Sequence, residues 1–232
     1  MKLNPKNWNS VITTNVLQFI FIFSSVYFAF WLTERRSMKD LENVEKKAVE
    51  AMITELKNNL GALKDSQPYH DTLFNKLFVV YDSLVANPTE LNGITLQEIF
   101  SGQLTRSYNT LGLPYLSSVS WDSFIKTQAF VVMDYDIVNA INTHFRGQQI
   151  GVVTTANRLS DFFLSEAMFS TENQETHLLQ LIYLFREISG QENSLITSTT
   201  NAIKLLEETY YPDMVVRVDT LEESKLQKAD TL

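Results

Sequence analysis

Residues 11–32 read VITTNVLQFIFIFSSVYFAFWL, an apolar run without a single charged side chain. At about 1.5 Å per residue, a helix of this length spans about 33 Å, enough to cross a hydrocarbon core of about 30 Å. The run is longer than the apolar core of a cleaved signal peptide, and the TERR that follows it offers no small-residue cleavage site. The sequence therefore predicts one uncleaved transmembrane helix from Val11 to Leu32, after a short N-terminal tail at residues 1–10.

Side chains that favour the membrane–water interface lie near both ends of this run. Trp8 precedes it, and Tyr27 and Trp31 lie toward its C-terminal end. Aromatic rings with a polar group concentrate at the level of the lipid head groups. Arg35 and Arg36 follow directly, and their long stems can carry a charge outward to the head groups. These five residues are the predicted membrane-interface residues, and the lipid bilayer is the predicted partner of the run.

Polar residues inside the run allow two interpretations. Gln18 lies seven residues before Ser25 and three after Asn15, so the three side chains lie toward one side of the helix. Such groups can join neighbouring helices inside a membrane by hydrogen bonds. Alternatively, Asn15 lies at the interface, Gln18 extends toward it, and the serines bond to carbonyls of their own helix. An intramembrane helix contact through Asn15, Gln18 and Ser25 is therefore one of two open alternatives.

The remainder of the chain is acidic and contains no cysteine. The 232 residues hold 19 basic and 27 acidic side chains, and four of the basic residues with only one acid precede residue 37. Because phosphates repel an acidic domain, nucleic acid is excluded as a partner. The absence of cysteine excludes disulfides, metal–thiolate sites and a cysteine nucleophile. With only seven Gly and five Pro, the composition favours long helices over a turn-rich β architecture.

A juxtamembrane stalk helix is predicted at residues 33–64. No Gly or Pro occurs between Pro5 and Gly61, so the transmembrane helix can continue into this stretch without a break. Residues 37–60, SMKDLENVEKKAVEAMITELKNNL, carry apolar residues about 3.7 positions apart on average, which is the period of a straight helix rather than of a coiled-coil seam. We therefore expect one apolar stripe that packs on the protein's own domain.

Residues 65–212 predict a helical bundle domain, because no stretch of useful length alternates between apolar and polar residues. With the transmembrane helix, this gives an all-α fold class. A charged C-terminal tail follows at residues 213–232. Helices are predicted at about 69–86, 95–100, 120–127, 134–146, 149–168, 171–188 and 192–210.

Local signals predict where these helices begin and end. Pro68 is expected to begin a helix, because proline is tolerated at the first helical position. Gly190 is expected to interrupt the helical pattern late in the chain. Three further starts carry the spacing of a capping box or a capping acid: Thr95 with Glu98, Asp134, and Thr171 with Gln174.

Four short segments in about the first 145 residues form a spaced pattern: WLTERR at 31–36, ELKNNL at 55–60, WDSF at 121–124 and DYDI at 134–137. This pattern, and the stretch from Tyr115 to Phe145 in particular, resembles a family of uncharacterised bacterial single-span membrane proteins. The sequence departs from that pattern at 128–130, where QAF stands in place of a glycine-containing loop, and in a less basic N-terminal tail. The resemblance implies an N-terminal anchor and an all-helical domain, and it implies no activity.

No residue pattern predicts catalysis, a metal or a cofactor. None of the three histidines, His70, His144 and His177, has a ligand at helical spacing of the HExxH kind. The acids at 134 and 136 begin like a calcium loop, but no glycine or closing glutamate follows at the required positions. There is no GxSxG elbow and no phosphate-binding glycine loop. We therefore predict a protein that is not an enzyme.

The orientation of the anchor follows from two opposed observations. Lys and Arg are more numerous just after the apolar run than before it, which favours a cytoplasmic domain. A single N-terminal anchor with a short tail, however, typically carries its large domain outside the cytoplasm. We predict a single-pass protein of the bacterial inner membrane with the domain in the periplasm, while the charge rule keeps the other orientation open.

These features predict a non-catalytic accessory or scaffold subunit of an inner-membrane or envelope complex. Its predicted partners are the bilayer and other membrane or envelope proteins. The alternative is an extracytoplasmic ligand-sensing domain that works through a membrane partner, because the predicted tail before the run is too short for a signalling output of its own.

Overall fold

The computed structural model describes residues 5–87, 93–101 and 111–212, with side chains from residue 13 onward. Every element within these ranges is helical, so the predicted all-α fold is confirmed. The α-helices are α1 (Pro5–Ala86), α2 (Leu96–Ile99), α3 (Val119–Phe124), α4 (Tyr135–Gln148), α5 (Thr154–Leu164) and α6 (Gln174–Tyr210). A π-helical turn, Gln149–Val153, joins α4 to α5. One 3₁₀ turn, Gln128–Val131, precedes α4, and another, Glu166–Met168, follows α5.

Two long antiparallel helices, α1 and α6, form the axis of the domain. Lys57 pairs with Glu207 at 2.6 Å, while Tyr81 donates to Glu175 at 3.3 Å. Residue numbers increase along α1 while those of the contacting residues decrease along α6, so the two helices are antiparallel. At the end of α6, the hydroxyl of Tyr211 donates to the carboxylate of Glu50 at 3.0 Å. The C-terminus of α6 therefore lies beside the part of α1 where packing begins.

The prediction that Pro68 begins a helix is wrong, because α1 continues through it. Proline in a helix interior removes one backbone hydrogen bond and disturbs the preceding turn. Here Pro68 lies on the exposed side of α1, where water can satisfy the freed carbonyl. Leu63 and Leu73, on the opposite side, are buried and hold the helix on both sides of the proline. The predicted division at residue 64 thus falls inside one uninterrupted helix.

Two predictions about α6 are also wrong. Gly190 does not interrupt it, since buried Ile188 and Leu195 pack on either side of an exposed glycine that costs about 1 kcal/mol. Thr171 does not cap it: α6 begins after Asn173, which has a left-handed backbone with φ 54° and makes no side-chain cap. Asparagine tolerates that conformation, so the chain can enter the helix without a capping box.

The other predicted helix signals are confirmed. The hydroxyl of Thr95 accepts the amide of Glu98 at 3.2 Å, and the Glu98 carboxylate accepts the amide of Thr95 at 2.8 Å. Asp134 accepts the amide of Asp136 at 2.8 Å and so caps α4. α1 ends at Ala86 and α6 ends at Tyr210, which are the ends that the predicted ranges 69–86 and 192–210 give.

The core consists of two main clusters placed along the α1–α6 axis. The proximal cluster lies beside residues 49–56 of α1 and contains aromatic side chains of α3 and of the 3₁₀ turn that follows it. The distal cluster lies beside residues 73–77 and is covered by α2 and α5. A small apolar contact of Leu63, Val152 and Leu195 lies between them. Representative buried members are Met52, Leu56, Trp121, Phe124, Ile141 and Leu206 for the proximal cluster, and Leu73, Leu77, Leu159, Leu178 and Phe185 for the distal one.

Candidate functional site

Residues 13–32 of α1 are predominantly apolar, and all of them are exposed. From residue 13 to residue 40 every side chain is exposed, and packing on the domain begins at Leu41. An 18-residue window of this segment has a mean hydropathy of 1.8, and none of it is buried. Phe21 and Phe30 are 71% and 72% exposed. Among the described residues, one helix is therefore long and apolar enough to cross a membrane.

Four of the five predicted interface residues lie at or beyond the C-terminal end of this apolar segment; they are Tyr27, Trp31, Arg35 and Arg36. Arg35 lies over the ring of Trp31, with 4.6 Å from the guanidinium carbon to the ring centroid. Tyr27 is 67% exposed, and Arg36 is exposed as well. The Arg35–Trp31 pair places a positive charge and an amphipathic ring together at the end of the apolar run. The side chain of Trp8 lies outside the described residues.

Asn15, Gln18 and Ser25 all lie on the exposed surface of α1. The hydroxyl of Ser25 donates to the carbonyl of Phe21 at 2.7 Å. This is the local hydrogen bond that the second sequence interpretation expects for a serine in a helix. A contact of Asn15, Gln18 and Ser25 with a neighbouring membrane helix remains a prediction.

A fully buried polar group joins α1 to α6 midway along the domain. His70 Nδ1 lies 2.9 Å from Glu192 Oε2, and neither side chain has any exposed surface. The hydroxyl of Ser66 donates to Glu192 Oε1 at 2.8 Å, and His70 Nε2 lies 2.9 Å from the carbonyl of Leu111. Because a carbonyl only accepts, Nε2 carries a hydrogen. One further proton then lies between Nδ1 and Glu192, whichever atom holds it.

This buried group cannot act as a catalytic triad. The hydroxyl of Ser66 bonds to Glu192 rather than to His70, so the histidine does not activate it. No atom of His70 or Glu192 reaches solvent or a substrate. Instead the group fixes the segment that follows α2 onto α1, where Gly112 lies directly against the ring of Tyr69. A Cβ at Gly112 would come within 2.4 Å of that ring, which explains a glycine with φ +68° there.

A second buried histidine lies between α4 and α6. His144 Nδ1 is 3.0 Å from the hydroxyl of Ser198, and its Nε2 is buried without a hydrogen-bond partner. Burial lowers the pKa of His144 to about 4, so the ring is neutral at pH 7. A base this weak is poorly suited to activate Ser198 near neutral pH. Within the described residues, no three His, Asp or Glu side chains lie close enough to hold a metal ion.

A groove of about 990 Å³ runs along α1 beside the segment that leads into α3. Its floor is fixed by Asn59, which is 2% exposed. The Asn59 amide donates to the carbonyl of Ser117 at 2.8 Å and accepts the Ser117 N–H at 3.0 Å. Gln148 of α4 donates to the same carbonyl at 3.2 Å. Residues around Ser117 are therefore held rigidly against α1 by buried amides.

Sequence reasoning missed these polar sites because their partners are far apart in the chain. His70 and Glu192 are separated by 122 residues, and Glu55 and Ser117 by 62. A signal was nevertheless present: His70 lies seven residues from both Leu63 and Leu77, in the middle of an apolar stripe. A titratable residue in such a stripe needs a buried partner, but its own helix does not identify that partner.

Comparison of the chain with protein-family models, with curated proteins and with solved structures gives no match. The family resemblance drawn from the sequence therefore stays a prediction.

Proposed function

We propose that the protein is a non-catalytic accessory or scaffold subunit of a bacterial inner-membrane or envelope complex, anchored by residues 11–32. The observation that carries the proposal is the exposed apolar first half of α1. A helix that is apolar on all sides and unpacked needs a nonpolar surrounding, because water around it is unfavourable by roughly 25 cal/mol per Å². A bilayer about 30 Å thick supplies it.

The continuity of α1 supports a mechanical role for this anchor. Residues 13–40 and the packed residues from Leu41 belong to one helix without a break. A tilt or shift of the helix in the membrane is therefore carried directly into the α1–α6 axis. A subunit that positions its domain relative to membrane partners would use such a rod.

Topology is the first test, and the absence of cysteine makes it simple. Asn201→Cys places a single thiol at an exposed position of α6 in the domain. A membrane-impermeant maleimide should label it in cells whose outer membrane alone has been permeabilised. The unmodified chain, which has no thiol, is the control. Labelling only after rupture of the inner membrane would contradict the periplasmic placement.

Purification from membranes in a mild detergent tests the role in a complex. We expect one or more membrane or envelope proteins to copurify in fixed ratio with the full chain. A monomer that repeatedly purifies alone, from membranes solubilised under several mild conditions, would contradict the scaffold function.

A second candidate function is a ligand-sensing domain that works through a membrane partner, and the groove on α1 favours it. The groove is lined by residues of α1, the helix proposed to enter the membrane, so a bound ligand would contact α1 directly. Thermal unfolding of the full chain against a panel of small metabolites tests this candidate. A panel without any shift would count against it.

A further inference from the structure

The floor of the groove beside α1 contains a carboxylate with only half of its hydrogen bonds. Glu55 Oε2 accepts the hydroxyl of Ser117 at 2.9 Å and the backbone N–H of Ser120 at 3.0 Å. Glu55 Oε1 is buried and has no partner. The hydroxyl oxygen of Ser120 is likewise buried and without a partner. Glu55 and Ser120 both line the groove, while these two atoms have almost no exposed surface, so a ligand reaches them after a small rotation of the two side chains.

The charge of Glu55 is also uncompensated within the described residues. Its two partners, a hydroxyl and a backbone amide, are neutral donors, and none of the ion pairs of the described chain involves it. Lys57, two residues on, is engaged with Glu207 at 2.6 Å, and Lys47, which lines the same groove, forms no ion pair with Glu55. A partly buried carboxylate without an ion-pair partner is costly, and an incoming cation lowers that cost.

The geometry favours a compact cation over the alternatives. A calcium ion requires six to eight oxygen ligands, and no cluster of three acidic or histidine side chains occurs in the described residues. A guanidinium group binds best to both oxygens of a carboxylate, but Oε2 of Glu55 is already occupied. An ammonium group can direct one N–H to Oε1 and another to the hydroxyl of Ser120.

We propose that this groove binds a primary ammonium group, whose charge is neutralised by Glu55. The Asn59–Ser117 hydrogen bonds hold the floor in place before the ligand arrives, so little ordering is needed on binding. The ring of Tyr115, 86% exposed at the rim, offers an aromatic surface for the alkyl chain that carries the ammonium. The ammonium belongs either to a small free amine or to a lysine side chain of a polypeptide.

This inference names a ligand class for the groove and so rests on the sensing candidate, while it is independent of the membrane assignment. Calorimetric titration of the full chain in nanodiscs tests it with two probes, cadaverine for a free amine and Nα-acetyl-lysine methylamide for a polypeptide lysine. We expect at least one probe to bind, and its counterpart in which every primary amine is acetylated to bind at least tenfold more weakly. The tighter of the two probes identifies the source.

Two variants locate the binding. Glu55→Gln keeps the acceptor for Ser117 and Ser120 but replaces the charge, so we expect at least a tenfold loss of amine affinity. Asp65→Asn removes an exposed carboxylate of α1 that does not line the groove and should retain affinity within about twofold. Thermal unfolding of both variants checks that they fold.

The backbone amide resonances of Ser117 and Ser120 in the unsubstituted chain give a readout that does not depend on any variant. They should shift as cadaverine or the lysine amide is added. Absence of heat and of shifts with both probes, or equal binding of the acetylated counterparts, would overturn the inference. So would undiminished binding to folded Glu55→Gln. A thermal response to an uncharged metabolite, with none to either amine, would overturn it while leaving the sensing candidate in place.

Discussion

The two halves of α1 share one backbone but face different surroundings. Residues 13–40 are exposed on every side and apolar as far as Leu32, whereas residues 41–86 bury one stripe against α6 and its neighbours. In the second half, the fully buried polar residues Asn59, Ser66 and His70 each have a hydrogen-bond partner. In the first half, nothing in the described chain covers Phe21 or Phe30. One helix thus combines an apolar segment exposed on all sides with an amphipathic segment that is packed on one side. If the apolar segment lies in a bilayer, as proposed, substitutions in it should change membrane insertion, whereas those in the packed segment should change folding stability.

The largest effect is expected from charges placed in the apolar half. Replacing Ile22 and Phe23 together by lysine should cost roughly 5–7 kcal/mol of membrane insertion, at about 2.5–3.5 kcal/mol per lysine near the centre of a span. The fraction of protein that resists alkaline extraction from membranes measures this loss. Thr54→Lys, on an exposed face of the packed half, is the matched control and should leave extraction unchanged. Full retention of the double variant in the membrane fraction would contradict the assignment.

The next effect concerns the buried pair in the packed half. Glu192→Leu leaves His70 and Ser66 without their partner in a site that has no exposed surface, at an expected cost of about 3–5 kcal/mol in the free energy of unfolding. Glu208→Leu, on the same helix, breaks only the exposed pair with Lys204 and should cost about 0–1 kcal/mol. Denaturant unfolding of the two variants compares them. Equal costs would contradict the role of the buried pair.

The sequence predicts the parts of the fold that depend on local signals, but not the polar sites that join distant residues. The apolar run, the Thr95–Glu98 capping box and the Asp134 cap depend on neighbours within a few positions, so their helices were predicted correctly. Pro68 and Gly190 were misread because tertiary packing on both sides outweighs their local preferences. The buried pair of His70 and the floor of the groove depend on residues more than 50 positions apart, which no local pattern connects.

An acid-sensitive loss of stability is expected from His144. Its folded-state pKa of about 4 lies below the ordinary value of 6.5, so its neutral form is preferred on folding. Stability is therefore complete above about pH 6.5 and falls as the pH is lowered through the window down to about 4, by about 3 kcal/mol in total. The difference in unfolding free energy between the unsubstituted chain and His144→Gln, measured from pH 7.5 to 4.5, isolates this contribution. A difference that does not change with pH would contradict it.

The smallest effects are expected at three glycines. Gly190→Ala and Gly61→Ala lie inside long helices with open space around the new methyl group, so each should stabilise the domain by about 0.5–1 kcal/mol. Gly112→Ala should destabilise it, because φ is +68° and the methyl group would meet the ring of Tyr69. Thermal unfolding of the three variants gives the signs. Stabilisation by Gly112→Ala would contradict the close approach of that segment to α1.

Oxygen accessibility of spin labels along α1 tests the central assignment most directly. Single cysteines introduced one at a time from residue 16 to residue 48, in the full chain in nanodiscs, report the surroundings of each position. If the helix crosses the bilayer, spin labels at residues 16–32 should be highly accessible to oxygen and poorly accessible to an aqueous reagent on all sides of the helix. Beyond Leu41, a 3.6-residue period should appear, in which residues of the buried stripe are protected from both reagents. Aqueous accessibility throughout residues 16–32, or protection from both reagents there, would contradict a single helix that passes from the bilayer into the domain.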